Sequence, residues 1–288
     1  MRRAFFAVSL ILVLVVGLSA AAGADVLGPN DAKALAKEAP LATAVVQDVE
    51  LRPHLQFISP AADEEWLEGG TATIQWMAVG RIKTVKLCYY GDCTQLGGND
   101  RGNFAVPIGN GASNAGSCQW TVPWIDARSF MLRIAGYDAA GRLLAEAERP
   151  VRFRPAEAAG ITGTFIVVSK DRQRLWYFVD DHLKWISIVS TAASPFTTPN
   201  MHPGSYGSRG EMGRVFYKDP NAHSHMYDVD MRWWMAITSS GSHGIHATSP
   251  PFYGYLGEPA SHGCLRQHRH DAQILYSMVD VGTRVYVF

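Results

Sequence analysis

Alternating hydrophobic and polar positions mark most of the chain between residues 57 and 155. Three stretches, "TATIQWMAV", "KTVKLCYY" and "FMLRIAGYD", place a hydrophobic residue at every second position. Successive side chains of a strand point to opposite faces, so this period predicts antiparallel strands with one buried face. The buried positions are predicted to be Ala72, Ile74, Trp76, Val85, Leu87, Tyr89, Phe130, Leu132 and Ile134. About 100 residues of such strands, broken by turn residues, predict a β-sandwich.

The pattern changes after Pro155, where "AEAAG" marks a domain boundary. "TGTFIVVS" and "RLWYFVDDHLKWISIVST" predict strands, with a hairpin turn at Asp180 and Asp181. A long loop rich in Pro and Gly, "SPFTTPNMHPGSYGSRGEMG", follows, and loops of this length in compact domains are usually functional or disordered. "WWMAITSSGSHGIHATSP" adds another strand.

One helix is predicted near the C-terminus, in "HDAQILYSMV". Ile274, Leu275 and Met278 recur there at helical spacing, and Asp271 is placed to serve the helix N-terminus. The closing "TRVYVF" predicts a strand. Residues 156–288 are therefore expected to form a second, mostly β domain with a single short helix.

The N-terminus has the features of an export signal. A positive start, "MRR", precedes an apolar run over residues 4–18 and the small residues "AGA". This predicts a secretory signal peptide at residues 1–24, with an uncleaved membrane anchor as the alternative. Residues 25–56 are predicted to be a lead segment or linker, with a short helix in "DAKALAKEA" that stops at Pro40. The mature protein is expected in the periplasm or cell envelope.

Composition limits the classes of partner. The chain has 288 residues, a length typical of two domains. Its 26 Lys and Arg residues balance 26 Asp and Glu residues, so no general attraction to nucleic acid is expected. The sequence contains neither a P-loop nor a dinucleotide-binding glycine motif. No cofactor and no nucleic-acid partner are expected, and membrane contact only through an uncleaved signal segment.

The chain has four cysteines, Cys88, Cys93, Cys118 and Cys264, and no C-x-x-C pair that would indicate a structural zinc site. An exported protein can form disulfides. Pairing of Cys93 with Cys118 is favoured because it closes a long loop, which removes more entropy from the unfolded chain. Other pairings among the first three cysteines remain open.

The stretch "ASHGCLRQHRH" holds the candidate chemistry. A free thiol, with a pKa of about 8.5, becomes a good nucleophile when a base takes its proton. In extended backbone, residues two apart share a side, so His262 is predicted to meet Cys264. The amides of Gly263 and Cys264 can face an oxyanion, and Ser261 or a backbone carbonyl can orient His262. A buried thiol or a metal ligand remains an alternative on these residues alone.

A wider pattern resembles the catalytic domain of YkuD-type L,D-transpeptidases. It consists of "HGIHAT", a spacer of fourteen residues after His246, "SHGCLR" and the closing "DAQILYSMVDVGTRVYVF". The upstream "ISIVSTAASPFTTPNMHPGSY" is also similar, so the resemblance covers about residues 160–288. It implies that Cys264 is the nucleophile and His262 its general base. Ser261 corresponds to the small hydroxyl of the motif, and Gly263 to its turn and oxyanion position.

The same resemblance implies a substrate-binding set. His246 is expected to line the pocket, and His243 is a further candidate. Arg266 is expected to hold a substrate carboxylate or to brace the loop, because a guanidinium makes bidentate contacts with carboxylates. No metal site is expected in this set.

The resemblance also implies an architecture. The fold is expected to be mainly β, with an Ig-like β-sandwich at residues 57–155 and a YkuD-type catalytic domain at residues 156–288. The strings "TIQW" and "WTVP" in the first part resemble Ig-like modules of cell-wall proteins, with either a wall-positioning or a spacer role. The chain departs from the family pattern at Ala247, at "TTPN", at Gln267 and across residues 201–234, the capping or lid region.

The implied function is cysteine-dependent L,D-transpeptidation of peptidoglycan. Cys264 would form an acyl-enzyme with a stem tetrapeptide, release D-Ala and pass the acyl group to an amine of another stem or of a wall protein. An L,D-carboxypeptidase or hydrolase would use the same thioester. A non-catalytic peptidoglycan-binding protein is a further alternative, as is a zinc peptidase that uses the histidines of "HSH", "HGIH" and His262.

Overall fold

The computed structural model describes residues 51–92, 103–127, 129–205 and 213–288. The predicted signal peptide and nearly all of the predicted lead segment lie outside these residues. Within the described residues, no helix is long and apolar enough to cross a membrane.

Eight strands lie among the described residues of the first part of the chain. They are β1 (His54–Ser59), β2 (Glu64–Leu67), β3 (Thr71–Val79), β4 (Thr84–Asp92), β5 (Asn103–Ser113), β6 (Ser117–Thr121), β7 (Ser129–Tyr137) and β8 (Leu143–Arg154). One sheet has the order β1-β3-β6 and the other the order β2-β8-β7-β4-β5. Strand β1 begins inside the segment predicted as linker, and Leu55 is buried in the core, so that boundary was placed too late.

The two sheets share one hydrophobic core, as the alternating pattern predicts. All nine predicted inward positions are buried, and Ile74, Leu132 and Ile134 are among the most completely covered. Each buried apolar side chain of this size contributes roughly 1.5–3 kcal/mol relative to an exposed one. The pattern therefore predicts the sandwich, while the Ig-like assignment of the module stays a prediction.

Cys88 and Cys118 are both free thiols. The Cys118 Sγ atom lies 3.4 Å from the Gln119 carbonyl oxygen. The favoured pairing of Cys93 with Cys118 was therefore wrong for Cys118, and Cys93 itself lies outside the described residues. Loop closure favoured that pairing, but spacing does not fix where the two thiols lie in space.

In the described residues after position 155, eight further strands form one sheet, in the order β12-β13-β14-β15-β11-β10-β9-β16. They are β9 (Phe165–Ser169), β10 (Arg174–Val179), β11 (His182–Ser190), β12 (Tyr217–Ser224), β13 (Val229–Ala236), β14 (Gly244–Ala247), β15 (Leu265–Gln267) and β16 (Arg284–Val287). Helix α1 (Arg269–Met278) follows β15, and short 3-10 helices occupy Ala156–Ala158 and Pro250–Tyr255. The mainly β fold with one short C-terminal helix confirms the predicted fold class.

The predicted hairpin at Asp180 and Asp181 joins β10 to β11. Both aspartates have positive φ, 48° and 65°, as a two-residue turn between twisted strands requires. The N-cap of α1 is His268, whose side chain accepts a hydrogen bond from the His270 amide. Asp271 lies instead in the first turn, fully buried, so its expected capping role passes to His268.

The central strands of the eight-stranded sheet are covered on both faces. One cluster contains Val168, Leu175 and the helix residue Leu275, and the other contains Phe165, Trp176 and Ile188. Strands buried on both faces read as continuous apolar runs, which explains the unbroken "FIVVS" of β9. This buried centre of the sheet includes β11, β14 and β15, at whose ends the candidate chemistry lies.

Candidate active site

Strands β14 and β15 bring together residues that are far apart in the sequence. They pair in parallel, with His246 beside Arg266, and Cys264 directly precedes β15. His246, Cys264 and Arg266 all line one cavity of about 660 Å³, which also contacts His243 and His262. Five of the seven predicted site residues therefore border the same space.

Ser261 and Gly263 shape the turn that carries Cys264. The Ser261 hydroxyl donates to the Cys264 carbonyl (2.6 Å) and accepts the Gly263 amide (3.1 Å). Thr198 Oγ1 donates to the Gly263 carbonyl (2.8 Å). Ser261 thus closes the turn instead of orienting His262. The Gly263 amide was expected to face an oxyanion, but it is already bound to Ser261.

Position 263 requires glycine for two reasons. Its φ is +138°, a region that side-chain-bearing residues rarely adopt, and a Cβ atom there would lie 2.8 Å from His243 Nε2. The His243 ring therefore packs behind the turn. Its Nδ1 atom lies 2.9 Å from the Ser242 hydroxyl. Burial lowers the pKa of His243, and a hydrogen bond with the Thr197 carbonyl partly opposes that shift.

His262 does not occupy the predicted position beside the thiol. It is exposed and lies on the cavity rim, where its ring stacks on Tyr227 (4.7 Å between centroids) and meets the edge of Phe196 (4.4 Å). No hydrogen bond joins His262 to Cys264 in the described part of the chain. The expectation assumed extended backbone across Gly263, and its φ of +138° breaks the alternation on which the argument rests.

His246 is the buried histidine of the site. Its Nδ1 atom lies 2.9 Å from the Ala247 carbonyl oxygen. A carbonyl can only accept, so Nδ1 carries the proton and Nε2 keeps its lone pair. Burial lowers the pKa of His246 to about 4, helped by the positive charge of Arg266 and opposed by the Ala247 bond. The ring is therefore neutral at neutral pH.

The Cys264 thiol is also held in its neutral form. Burial raises its pKa, and a hydrogen bond with the Gly244 backbone and the charge of Arg266 only partly counter this. A protonated thiol is a weak nucleophile, so attack on a carbonyl requires a base in the same cavity. His246 presents a neutral imidazole there.

Arg266 is half-buried at the cavity wall. One guanidinium nitrogen donates to the Ala260 carbonyl (3.0 Å), and the group lies 5.9 Å from the centre of the Phe252 ring. Among the described residues, no carboxylate lies within salt-bridge distance of Arg266. Arg266 therefore braces the loop through Ala260 and borders the cavity, while its contact with a substrate carboxylate stays a prediction.

The second part of the chain is similar in sequence to a known family. Residues 163–287 match the sequence model of the YkuD family, described as the L,D-transpeptidase catalytic domain. A curated relative, the putative L,D-transpeptidase YqjB of Bacillus subtilis, is 23% identical over 128 residues, which cover 43% of this chain and 70% of the relative.

Residues 163–287 form a YkuD-type L,D-transpeptidase catalytic domain.

Two solved structures of L,D-transpeptidases are also similar to the chain. The structure from Stackebrandtia nassauensis is 26% identical with a TM-score of 0.36, over 45% of this chain and 57% of that one. The structure from Mycobacterium smegmatis is 16% identical with a TM-score of 0.37, over 82% of this chain and 99% of that one. The chain thus spans less than two thirds of the first structure's length.

Two positions at which the chain departs from the family pattern, Ala247 and Gln267, are buried in the YkuD-type domain. Ala247 is buried and contributes its backbone carbonyl to His246, a contact that any residue can make. Gln267 is fully buried, and its amide nitrogen donates to the Ser187 hydroxyl on β11. The Gln267 Oε1 atom is buried without a hydrogen-bond partner among the described residues, so the polar side chain that replaces an apolar residue is only partly satisfied.

Sequence reasoning assigned residues 201–234 to a capping or lid region but named no residue of one wall of the cavity, the hairpin of β12 and β13. The turn between these strands carries Met226 and Tyr227, and both line the cavity. Across the turn, His223 lies 3.0 Å from Asp230 and 3.3 Å from Asp228. His223 therefore contacts these two carboxylates and does not converge with His243 and His246 on a common metal position. The aromatic and histidine content of residues 201–234 was the available signal.

Proposed function

We propose that this protein is a cysteine-dependent peptidoglycan L,D-transpeptidase in which Cys264 is the nucleophile and His246 the general base. The observation that carries the proposal is the pairing, in one cavity, of a protonated thiol with a neutral imidazole whose proton is fixed on Nδ1. This replaces the predicted base, His262, which lies in an aromatic stack at the rim.

The first half-reaction forms a thioester. The Cys264 sulfur attacks the carbonyl between the third residue of a stem tetrapeptide and the terminal D-Ala, while His246 Nε2 takes the thiol proton. The Cys264 amide donates to the oxyanion in this scheme, because the Gly263 amide already donates to the Ser261 hydroxyl. The C–N bond then breaks, and the imidazolium returns the proton to the departing D-Ala amine.

The second half-reaction passes the acyl group on. An amine of another stem attacks the thioester and His246 accepts its proton. The C–S bond then breaks to leave the new amide, and the imidazolium returns the proton to the Cys264 sulfur. Attack by an amine on a wall protein would attach that protein, and attack by water would give an L,D-carboxypeptidase. Arg266 is suited to a substrate carboxylate, since it presents a guanidinium to the cavity. The predicted signal peptide supports action in the periplasm or cell envelope.

Mass spectrometry of the purified protein tests this proposal. With a stem tetrapeptide or with imipenem, we expect a covalent adduct that maps to Cys264 and is missing in Cys264→Ala. Product analysis with and without an acceptor amine then separates transpeptidation from hydrolysis. A folded wild-type protein that binds peptidoglycan sacculi but never forms an adduct would instead support the non-catalytic alternative.

A further inference from the structure

Gln173 is a buried polar residue outside the cavity with an unfavourable backbone conformation. It lies in the turn between β9 and β10, is 2% exposed and has a φ of +53°. Left-handed backbone is uncommon for residues other than Gly, Asn and Asp. Because glycine would relieve this conformation at no steric cost, a glutamine here points to a use for its side chain.

The Gln173 carboxamide bonds to Thr191 at both ends. Its Nε2 atom donates to Thr191 Oγ1 (2.7 Å) and to the Lys170 carbonyl, and its Oε1 atom accepts the Thr191 amide (2.8 Å). Both amide protons and the carbonyl of the side chain are thus in use. The Gln173 backbone carbonyl also accepts the Val189 amide (2.9 Å), which fixes the turn to the end of β11.

Thr191 in turn holds the segment that leads to the nucleophile. Its carbonyl accepts the amides of both Ala260 and Ser261, each at 2.8 Å. The Ser261 carbonyl accepts the Ala193 amide (3.0 Å), so the two segments are joined from both sides. Ser261 then closes the Cys264 turn through its hydroxyl. Three successive hydrogen-bonded links therefore connect Gln173 to Cys264.

We infer that Gln173 is a positioning residue that sets the orientation of the Cys264 turn through Thr191 and Ser261. Its effect on catalysis rests on the proposed thioester chemistry, whereas its hold on the turn does not. Glutamate would lose both donors and bury a charge, methionine would lose every polar contact, and asparagine is one methylene too short. Nucleophilic attack depends steeply on geometry, so a loosened turn lowers the acylation rate without removing the cavity.

The test compares Gln173→Met with Tyr177→Phe. The control removes another buried hydrogen bond, from the Tyr177 hydroxyl to the Met278 carbonyl, at a site away from the turn. In Gln173→Met we expect the maximal rate of acylation by imipenem to fall about tenfold or more, with the half-saturating concentration changed by less than about threefold. Tyr177→Phe is expected to keep the wild-type rate.

Two further readouts separate positioning from general destabilisation. Hydrogen exchange of residues 256–264 is expected to accelerate in Gln173→Met and not in the control. Site-resolved alkylation of Cys264 by iodoacetamide, which demands less of the geometry, is expected to stay within about threefold of wild type. Thr191→Val removes the hydroxyl that accepts from Gln173 Nε2 but keeps the backbone hydrogen bonds of Thr191, so its acylation rate is expected to fall less. This variant supplies the same comparison if Gln173→Met does not fold.

The outcomes distinguish this inference from the proposed function. Equal exchange and equal acylation in Gln173→Met and Tyr177→Phe would overturn the positioning role. If hydrogen exchange of residues 256–264 is faster in Gln173→Met but the wild-type protein forms no acyl adduct, Gln173 still positions the Cys264 turn. That result would contradict only the proposed transpeptidase function.

Discussion

The Ala247 carbonyl decides which nitrogen of His246 can act as a base. Imidazole has two nitrogens, and an acceptor on Nδ1 leaves the lone pair on Nε2. Burial, together with the positive charge of Arg266, lowers the pKa of this ring to about 4, so the ring is neutral above that pH. His246 therefore needs no deprotonation before it acts as a base at neutral pH. The protonated thiol of Cys264 transfers its proton to it during the attack.

The pH dependence of acylation should therefore follow His246. Its pKa is depressed, so the active neutral form is present above about pH 4 and is lost as the pH falls through that value. We expect the second-order rate constant for acylation to rise near pH 4 and to stay level through neutral pH. Stopped-flow measurement with imipenem from pH 3 to 9 checks this.

Matched variants assign the effect to one histidine. His246→Gln is expected to lower the rate by about 10²–10⁴-fold, the usual contribution of a general base. His262→Gln is expected to lower it less than about tenfold, because that ring only borders the cavity. If His262→Gln were the more damaging change, the sequence-based assignment of the base would be restored.

At this scale the sequence identifies the participants better than their roles. Cys264, Arg266 and both histidines stand in a pattern that can be read without a structure. The choice between His246 and His262 depends on the backbone at Gly263 and on the parallel pairing of β14 with β15. Neither is visible in a local pattern, since the pairing joins residues about twenty positions apart.

At the scale of elements, the hairpin of β12 and β13 has the weakest sequence signal. Most of its side chains are exposed or half-buried, so it lacks the alternation that reveals β3, β4 and β7. Its turn is held by His223, whose pKa is raised chiefly by the hydrogen bond with Asp230. Polar contacts, rather than a buried face, thus place Met226 and Tyr227 on the cavity.

Tyr227 should contribute to substrate binding more than to chemistry. Its ring forms part of the cavity wall and stacks on His262. Tyr227→Ala removes this surface, so we expect the half-saturating concentration of a stem tetrapeptide to rise by about three- to tenfold, with a smaller change in the maximal rate. Tyr227→Phe keeps the ring and should behave as wild type. A loss confined to the maximal rate would contradict this assignment.

At the scale of the whole molecule, the described sandwich and the catalytic domain belong to a single compact unit. Three arginines form ion pairs within and between the sandwich and the catalytic domain. Arg154 contacts Glu65 and Asp181, Arg172 contacts Glu68 and Glu157, and Arg174 contacts Asp126. Composition and pattern predict a change of domain near Pro155, but they contain no information on these pairs, whose partners are up to 104 residues apart.

The pair of Arg174 with Asp126 is the most buried of these contacts. Two parallel hydrogen bonds of 3.0 and 2.7 Å join the guanidinium to the carboxylate, and the Arg174 side chain is 5% exposed. Another guanidinium nitrogen donates to the Gln173 carbonyl (3.1 Å). Arg174 thus connects Asp126 to the turn whose Gln173 side chain binds Thr191. This contact gives the sandwich a structural role in the catalytic domain besides any role in wall binding.

Asp126→Ala is therefore expected to destabilise the protein and to slow acylation. Removal of one partner leaves the other charge buried, which costs about 3–5 kcal/mol of unfolding free energy. Glu146→Ala is the matched control within the sandwich, because its pair with Arg133 is 43% and 34% exposed and should contribute less than about 1 kcal/mol. Urea denaturation measures both differences.

Acylation decides whether the pair matters beyond stability. At a temperature at which both variants are folded, Asp126→Ala should acylate more slowly than Glu146→Ala, because Arg174 then no longer holds Gln173 in register with Thr191. Equal rates at unequal stability would show that the ion pair joins the modules without influencing Cys264. The link from Asp126 to the nucleophile would then end at Arg174, and the positioning role would belong to Gln173 alone.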